Sequence, residues 1–289
     1  MHEVSVKGIL SPKNGMNLYR GCQHGCIYCD ARSTCYQMNH AFEDIEVKIN
    51  AVALFEKCLK GKRKKCMIGT GAMSDPYIPL ELQYKHMQRC LELIEKYNFG
   101  VTIHTKSDLI LRDIELLKRI HQKTKCVVQM TLTTYDEKLC KIIEPGVATT
   151  KRRVEVLEIM KAHGIPTVVW LDPILPFIND TKENLEGILD YCIRAKVYGI
   201  LCFGFGLTLR EGNREYFYQK LDEHFPGLKA LYIKQYGNAY EINSPHNKAL
   251  MQHFKAVCKQ HHIVTNINEI FSYLHTYEHK GFEQLTLEW

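Results

Sequence analysis

Five runs rich in β-branched and aromatic residues alternate with stretches of helical periodicity, and this alternation limits the fold more than any other feature of the chain. The runs are CMIGTG (66–71), GVTIHTK (100–106), CVVQMTLTT (126–134), PTVVWLDPIL (166–175) and YGILCFGFGL (198–207). Each favours extended backbone and stops at glycine, proline or a polar cluster. A sixth is expected through MNLYRG (16–21). Between them, residues 80–98 place Leu82, His86 or Met87, Cys90, Leu93 and Ile94 on one helical face. Residues 112–122 and 151–164 do likewise. The latter has Thr149 or Thr150 as N-cap and stops at Gly164 before Pro166. A further helix opens at an Asp/Thr cap over 180–195.

Strands separated by single helices imply crossover connections and a parallel sheet. The units fit an open doubly wound sheet or a partial (β/α) barrel. No G-x-G-x-x-G motif opens the first helix, which weakens a dinucleotide-binding reading. In both architectures chemistry collects at the C-terminal ends of the strands. From about residue 213 the alternation fades. That part is expected to be mainly helical with a short strand or two, so the chain divides into a core, 1–212, and an extension, 213–289.

The start, MHEVSVKGIL, lacks the apolar core of a signal peptide, and no apolar run is long enough to span a bilayer. A cytoplasmic protein is expected, with a monomer as the default. The net charge of +6 permits a polyanionic partner without demanding one. In a reducing compartment, the twelve cysteines do not read as a disulfide framework. Cys58, Cys90, Cys126, Cys140, Cys192 and Cys258 sit in apolar or helical contexts and read as small buried hydrophobes.

The stretch YRGCQHGCIYCDAR (19–32) is different. Cys22, Cys26 and Cys29 have C-x3-C-x2-C spacing, and Cys35 follows. A structural zinc site wants four ligands, usually from two C-x2-C knuckles. Only one knuckle exists here, so His24 or Cys35 would have to complete the shell. A redox C-x2-C pair would leave Cys22 unexplained. Three thiolates suit a cubane iron–sulfur cluster with one open iron, and Gly21 and Gly25 let the chain bend closely around it.

With an aromatic, Tyr28, just before the last cysteine, the loop resembles the signature of the radical SAM superfamily. Together, NLYRGCQHGCIYCDAR and GTGAMSDPYIPLE resemble the branch containing spore photoproduct lyase, over most of the chain to about residue 245. The resemblance implies a partial, TIM-like (β/α)6 barrel of parallel strands. It implies a [4Fe–4S] cluster on Cys22, Cys26 and Cys29, with S-adenosylmethionine (SAM) on the open iron. Reductive cleavage of SAM would then give a 5′-deoxyadenosyl radical that abstracts a substrate hydrogen. A flavodoxin- or ferredoxin-type reductant is implied as electron donor. Tyr28, Ser74, Asp75, Lys106, Thr131 and Thr133 are the implied SAM-binding residues. Each has a plainer reading: an Asp-Pro turn for Asp75, a solvated strand end for Lys106, β-propensity for the threonines.

The chain departs from the lyase at two places. Ala72 and Met73 stand where the lyase has a hydrogen-donating cysteine, and Asp30 stands where it has a tyrosine. The lyase's own reaction is therefore not expected. Cys202 and Tyr77 are the alternative hydrogen donors, and the competing reading of Cys202 is a buried structural thiol. The glycines of FGFG (203–206) would leave room at the barrel mouth.

Arg152 and Arg153 open a helix against its dipole; Glu144 or a phosphate would offset this, and an ion pair with a carboxylate is preferred over a substrate contact. Arg210, Arg214, Tyr216, Phe217 and Tyr218 suit either a nucleic-acid surface or an ordinary amphipathic helix, with packing favoured. Three functions remain open: a radical SAM lyase or oxidoreductase acting on a nucleobase, nucleotide or nucleic acid; a radical SAM enzyme acting on a peptide or small metabolite; and a non-enzymatic, metal-stabilised binding module.

Overall fold

A computed structural model describes residues 1–280. In chain order the elements are β1 (His2–Val4), β2 (Gly15–Met16), β3 (Tyr19–Arg20), β4 (Glu46–Lys48), α1 (Ala51–Gly61), β5 (Met67–Thr70), α2 (Glu81–Tyr84), α3 (His86–Lys96), β6 (Gly100–Thr105), α4 (Ile114–Lys123), β7 (Cys126–Thr131), α5 (Glu137–Ile143), α6 (Thr150–Ala162), β8 (Thr167–Trp170), α7 (Lys182–Ala195) and β9 (Gly199–Leu201). Then follow β10 (Gly206–Thr208), α8 (Asn213–His224), α9 (Leu228–Tyr236), β11 (Glu241–Asn243), α10 (Asn247–Gln260) and α11 (Ile267–His275). Positions 281–289 of the expected extension lie outside the described residues.

Six strands form one open sheet in the order β2-β5-β6-β7-β8-β9, every pair parallel. This is the expected α/β fold of a partial six-stranded barrel. One face carries Ile68, Ile103, Val128, Val169, Ile200 and Cys202, packed with Leu91, Leu117, Leu157 and Leu189 of the crossover helices. The opposite face holds Val127, Val168 and Leu201, closed by Ile270 and Leu274 of α11. Gly199 permits that closure: a Cβ there would lie 2.9 Å from the Val264 carbonyl oxygen and 3.0 Å from Ile270.

Three local expectations change. MNLYRG is not one strand: Met16 pairs with Thr70 in the main sheet, while Tyr19 pairs with Val47 in a separate sheet ordered β1-β4-β3. The run 198–207 breaks after Leu201, and Gly204 takes φ +133°, outside the reach of ordinary strands. Its continuation, β10, pairs antiparallel with β11 instead. The helix expected over 80–98 breaks at Lys85, which has φ +52°. The buried Glu81 carboxylate explains the break. It accepts hydrogen bonds from the backbone N–H groups of Met87 and Gln88, at 3.1 and 3.3 Å, and so satisfies the start of α3. Leu82 is thereby turned outward, 60% exposed.

The remaining helix signals match. Thr149 caps α6 and Thr181 caps α7 through side-chain oxygens. In α8, Phe217 and Leu221 are buried, and Arg214 donates to the Leu209 and Ala239 carbonyls, so this segment is packed structure. All twelve cysteines are free. Cys90, Cys126, Cys140, Cys192 and Cys258 are buried; Cys58 is partly exposed. Among the described residues no helix is long and apolar enough to cross a membrane.

Truncating Ile270 to Ala should open a cavity on the inner face and lower stability by about 2–4 kcal/mol in urea unfolding. Leu82→Ala, on the outward face of α2, should change it by less than about 0.5 kcal/mol.

Candidate active site at the C-terminal ends of the strands

A cavity of about 510 Å³ opens where β5, β6, β7 and β8 end. Cys22, Cys26 and Cys29 line one wall, and Lys106, Thr131 and Trp170 line the strand ends. The cysteine loop folds tightly because glycine occupies its two left-handed positions. Gly21 has φ +86°, and a Cβ there would lie 2.4 Å from the Phe42 carbonyl oxygen; Gly25 has φ +66°. The segment Glu144–Pro145–Gly146 braces the loop from outside. Ile27 N–H donates to the Ile143 carbonyl at 3.0 Å, and Gly146 N–H donates to the His24 carbonyl at 2.8 Å.

The three thiols fit a cluster better than a single ion. Among the described residues, their sulfurs do not all lie within 4.8 Å of one another. Thiolates on one tetrahedral zinc, each about 2.3 Å from the metal, would be about 3.8 Å apart. The two residues considered for a fourth zinc ligand are also engaged elsewhere. His24 is buried, with Nδ1 3.0 Å from the Gly146 carbonyl oxygen and Nε2 3.0 Å from Asp75 Oδ2. Cys35 is exposed and accepts from Arg210 Nη1 at 3.3 Å. Burial and the nearby Asp75 push the Cys22 thiol up to about 12, and burial likewise raises Cys26 and Cys29. Loading a cluster therefore displaces protons from all three.

Asp75 is the most heavily used acid in the wall. Its Oδ1 accepts from Tyr77 N–H at 2.8 Å and from Thr105 Oγ1 at 2.7 Å; its Oδ2 accepts from Lys106 N–H at 2.7 Å. Burial opposes its ionisation, but His24 and these donors outweigh it and hold the carboxyl below the usual range. Ser74 Oγ donates to the Gly21 carbonyl at 2.6 Å. Both residues line the cavity, and both also hold the cysteine loop against the ends of β5 and β6.

Lys106 projects into the same space, with Nζ 5.8 Å from the centre of the Tyr28 ring. Burial would strip its charge, but Cys26, Glu144 and Cys29 reverse that and raise its pKa. The Tyr28 hydroxyl donates to Glu144, which also pairs with Arg153; both members of that ion pair are fully buried. Arg153 further donates to the Thr131 carbonyl at 2.6 Å. The partner expected for Arg153 is thus Glu144, while Arg152 pairs with Asp108 and Glu155.

The other candidates divide by whether they reach the cavity. Thr131 lines the cavity and its Oγ1 lies 2.8 Å from His104 Nε2, whereas Thr133 is buried behind it with an unpartnered hydroxyl. Burial and Lys106 push His104 down to about 3, so its ring is neutral. Neither candidate hydrogen donor lines the cavity. Cys202 shares the outer face with Ile200 and lies 3.6 Å from the Met251 sulfur. Tyr77 is buried, its hydroxyl donating to Asp113 at 3.1 Å.

The far wall holds residues that strand and helix patterns alone did not mark. Tyr36 donates to Asp30 at 2.9 Å. Trp170 stacks on His104 with centroids 4.9 Å apart, Phe203 lies 5.9 Å from Trp170, and Asp172 follows β8. Alternation along PTVVWLDPIL, counted from Val168, would have placed Trp170 and Asp172 on one side. Burial raises the Asp172 carboxyl to about 7 against the pull of Lys106.

An open parallel sheet with a three-thiol loop over its strand ends defines an α/β enzyme built around a cluster. The sequence model of the Radical SAM superfamily matches residues 16–192, more than half of the chain, and the chain belongs to that superfamily. The superfamily's [4Fe–4S] cluster and SAM are its cofactors. Uncharacterized protein Rv2578c of Mycobacterium tuberculosis is 29% identical over 257 residues, covering 81% of this chain and 73% of that one. Uncharacterized protein MJ0683 of Methanocaldococcus jannaschii is 32% identical over 181 residues, 62% of this chain and 67% of that one. Among solved structures, a spore photoproduct lyase variant with bound AdoMet and dinucleoside spore photoproduct aligns at TM-score 0.59 and 15% identity, covering 86% of this chain and 73% of that one. Another variant of that lyase aligns at TM-score 0.62 and 15% identity over 89% and 78%. At that identity the likeness is one of fold.

Glu144→Gln should leave Arg153 buried without a counter-charge and cost about 3–5 kcal/mol of stability in chemical denaturation. Adding Arg153→Met should recover much of the loss. Asp172→Asn has the opposite sign. An unfolded aspartate ionises near ~3.9, below the folded value of about 7, so the wild type loses stability as pH rises between the two and is flat above. The variant should match wild type near pH 4 and exceed it by about 2–4 kcal/mol at pH 8.

Proposed function

We propose that this chain cleaves SAM reductively at the Cys22–Cys26–Cys29 cluster and removes a hydrogen atom from a substrate carrying a nucleobase, free or in a nucleic acid. The observation that carries this is the cavity lining, which brings the three thiols and Lys106 together with the aromatic rings of Tyr36, Trp170 and Phe203. When bound and reduced, the cofactors supply a 5′-deoxyadenosyl radical. The chain's own residues bind, orient and keep the space dry. Lys106 offers its ammonium to the SAM carboxylate. Tyr28, held by Glu144, lies beside that ammonium. Thr131, held by His104, stands next along the wall. Ser74 and Asp75 anchor the cysteine loop from which SAM is presented.

The aromatic far wall supports a ring-bearing substrate over a peptide. Helix α8 is packed structure, so recognition falls to the cavity. A one-electron reductant of flavodoxin or ferredoxin class supplies the electron. Residues 1–212 form the catalytic core, and the extension from 213 adds β11 to the cavity rim. Twelve free cysteines support a reducing, cytoplasmic setting.

Protein purified without oxygen should be brown and hold about four irons per chain. Reduction with SAM should release 5′-deoxyadenosine, and Cys26→Ala should abolish both colour and product. Colourless protein with one zinc would sink the proposal. Deuterium passing from a labelled nucleoside into 5′-deoxyadenosine would identify the substrate; its absence across nucleosides and oligonucleotides would remove the nucleobase.

A further inference from the structure

Asp172 lies on the same side of its strand as Val168 and Trp170, at the C-terminal end of β8. Its carboxyl lines the cavity, and among the described residues it makes no hydrogen bond or ion pair. Of the other acids lining the cavity, Glu241 is exposed to solvent, and the two nearer the cysteine loop are occupied. Asp75 accepts from Tyr77, Thr105 and Lys106, and Asp30 accepts from Ser33 and Tyr36 and faces Arg210 at 3.5 Å. A partly buried carboxyl without partners works against the fold, so its presence points to a partner from outside.

Phe203 is the second unexplained group. It is 53% exposed, lines the same cavity, and sits 5.9 Å from Trp170, which is backed in turn by His104. The Gly204 backbone, with φ +133°, turns the chain immediately after it. The flat apolar face of Phe203 and the free Asp172 oxygens therefore open on the same space. Among the described residues, Lys106 is the one lysine or arginine in the wall, and it stands by the cysteine loop. Beyond Lys106, the lining offers no cationic side chain to a phosphate.

We propose that Phe203 and Asp172 form the substrate-recognition end of the cavity and select a flat heterocycle whose edge presents N–H donors. Guanine is the natural base with two such donors side by side, matched to the two carboxylate oxygens. The proposal rests on the nucleobase reading above and narrows it to a donor-rich edge. Phe203 stacks on the ring, and Asp172 accepts in the ring plane.

Equilibrium dialysis of cluster-loaded, SAM-bound protein against guanosine, 1-methylguanosine and thymidine tests this. Guanosine should bind most tightly. Methylation at N1, which removes one of the two donors, and Asp172→Asn should each weaken guanosine binding about 10–100-fold. Phe203→Ala should weaken it about tenfold or more, with Phe203→Tyr restoring it. SAM affinity should stay within about twofold of wild type in every variant, which also reports an intact fold. Equal affinity for guanosine and its 1-methyl form, or an Asp172→Asn variant that loses SAM rather than guanosine, would overturn the assignment and leave the nucleobase reading standing. If none of the three nucleosides binds wild-type protein that still binds SAM, the nucleobase reading falls as well.

Discussion

The site depends on how one buried carboxylate is satisfied. Asp75 lies in the loop after β5 and gathers partners from three separate places: its own loop through Tyr77, the end of β6 through Thr105 and Lys106, and the cysteine loop through His24. A carboxylate in this space without donors would cost several kcal/mol. With them it ties two strand ends and the cysteine loop into one unit. Ser74 adds the adjoining link to Gly21. The cysteines therefore stand where they do because β5 and β6 are side by side in the sheet.

A second buried acid does comparable work from the other side. Glu144 holds Tyr28 and Arg153, and Arg153 reaches the last residue of β7. The cysteine loop is thus clamped between Asp75 and the 144–146 segment. Burying that much charge is tolerated because each group has a counter-charge or a donor. Asp172 is the contrast. It has the same chemistry and, among the described residues, no hydrogen-bond or ion-pair partner, which is the ground for proposing that it faces a ligand. A site built this way combines acids satisfied within the fold with one carboxyl left open to the cavity.

Much of this was legible in the chain as written. The strand and helix alternation, the caps at Thr149 and Thr181, the three-cysteine spacing and the Arg153 carboxylate partner follow from local pattern and elementary electrostatics. The misplacements share a cause, which is that parity and partner choice are not local. Cys202 was attractive as a thiol on the last strand, yet a one-residue step puts it on the helix-covered face while Phe203 opens to the cavity. Tyr77 follows the Ser74–Asp75 pair directly, but its hydroxyl is drawn to Asp113. Leu82 fits a continuous helix only if Glu81 is read as a surface residue. Instead that acid is buried and breaks the helix to cap the next one.

By itself the sequence determined the class of fold and the kind of metal chemistry, because both rest on short-range features: periodicity over a few residues, and thiol spacing within one loop. Tertiary structure decided which acids became scaffolding and which stayed free. That choice turns on donors supplied by residues up to 116 positions away, as with Tyr28 and Glu144. Asp75, Glu144 and Asp172 are each a single acid in the chain. Only tertiary packing gives Asp75 its partners from the ends of β5 and β6 and the cysteine loop, gives Glu144 its partners from the cysteine loop and α6, and leaves Asp172 without one among the described residues.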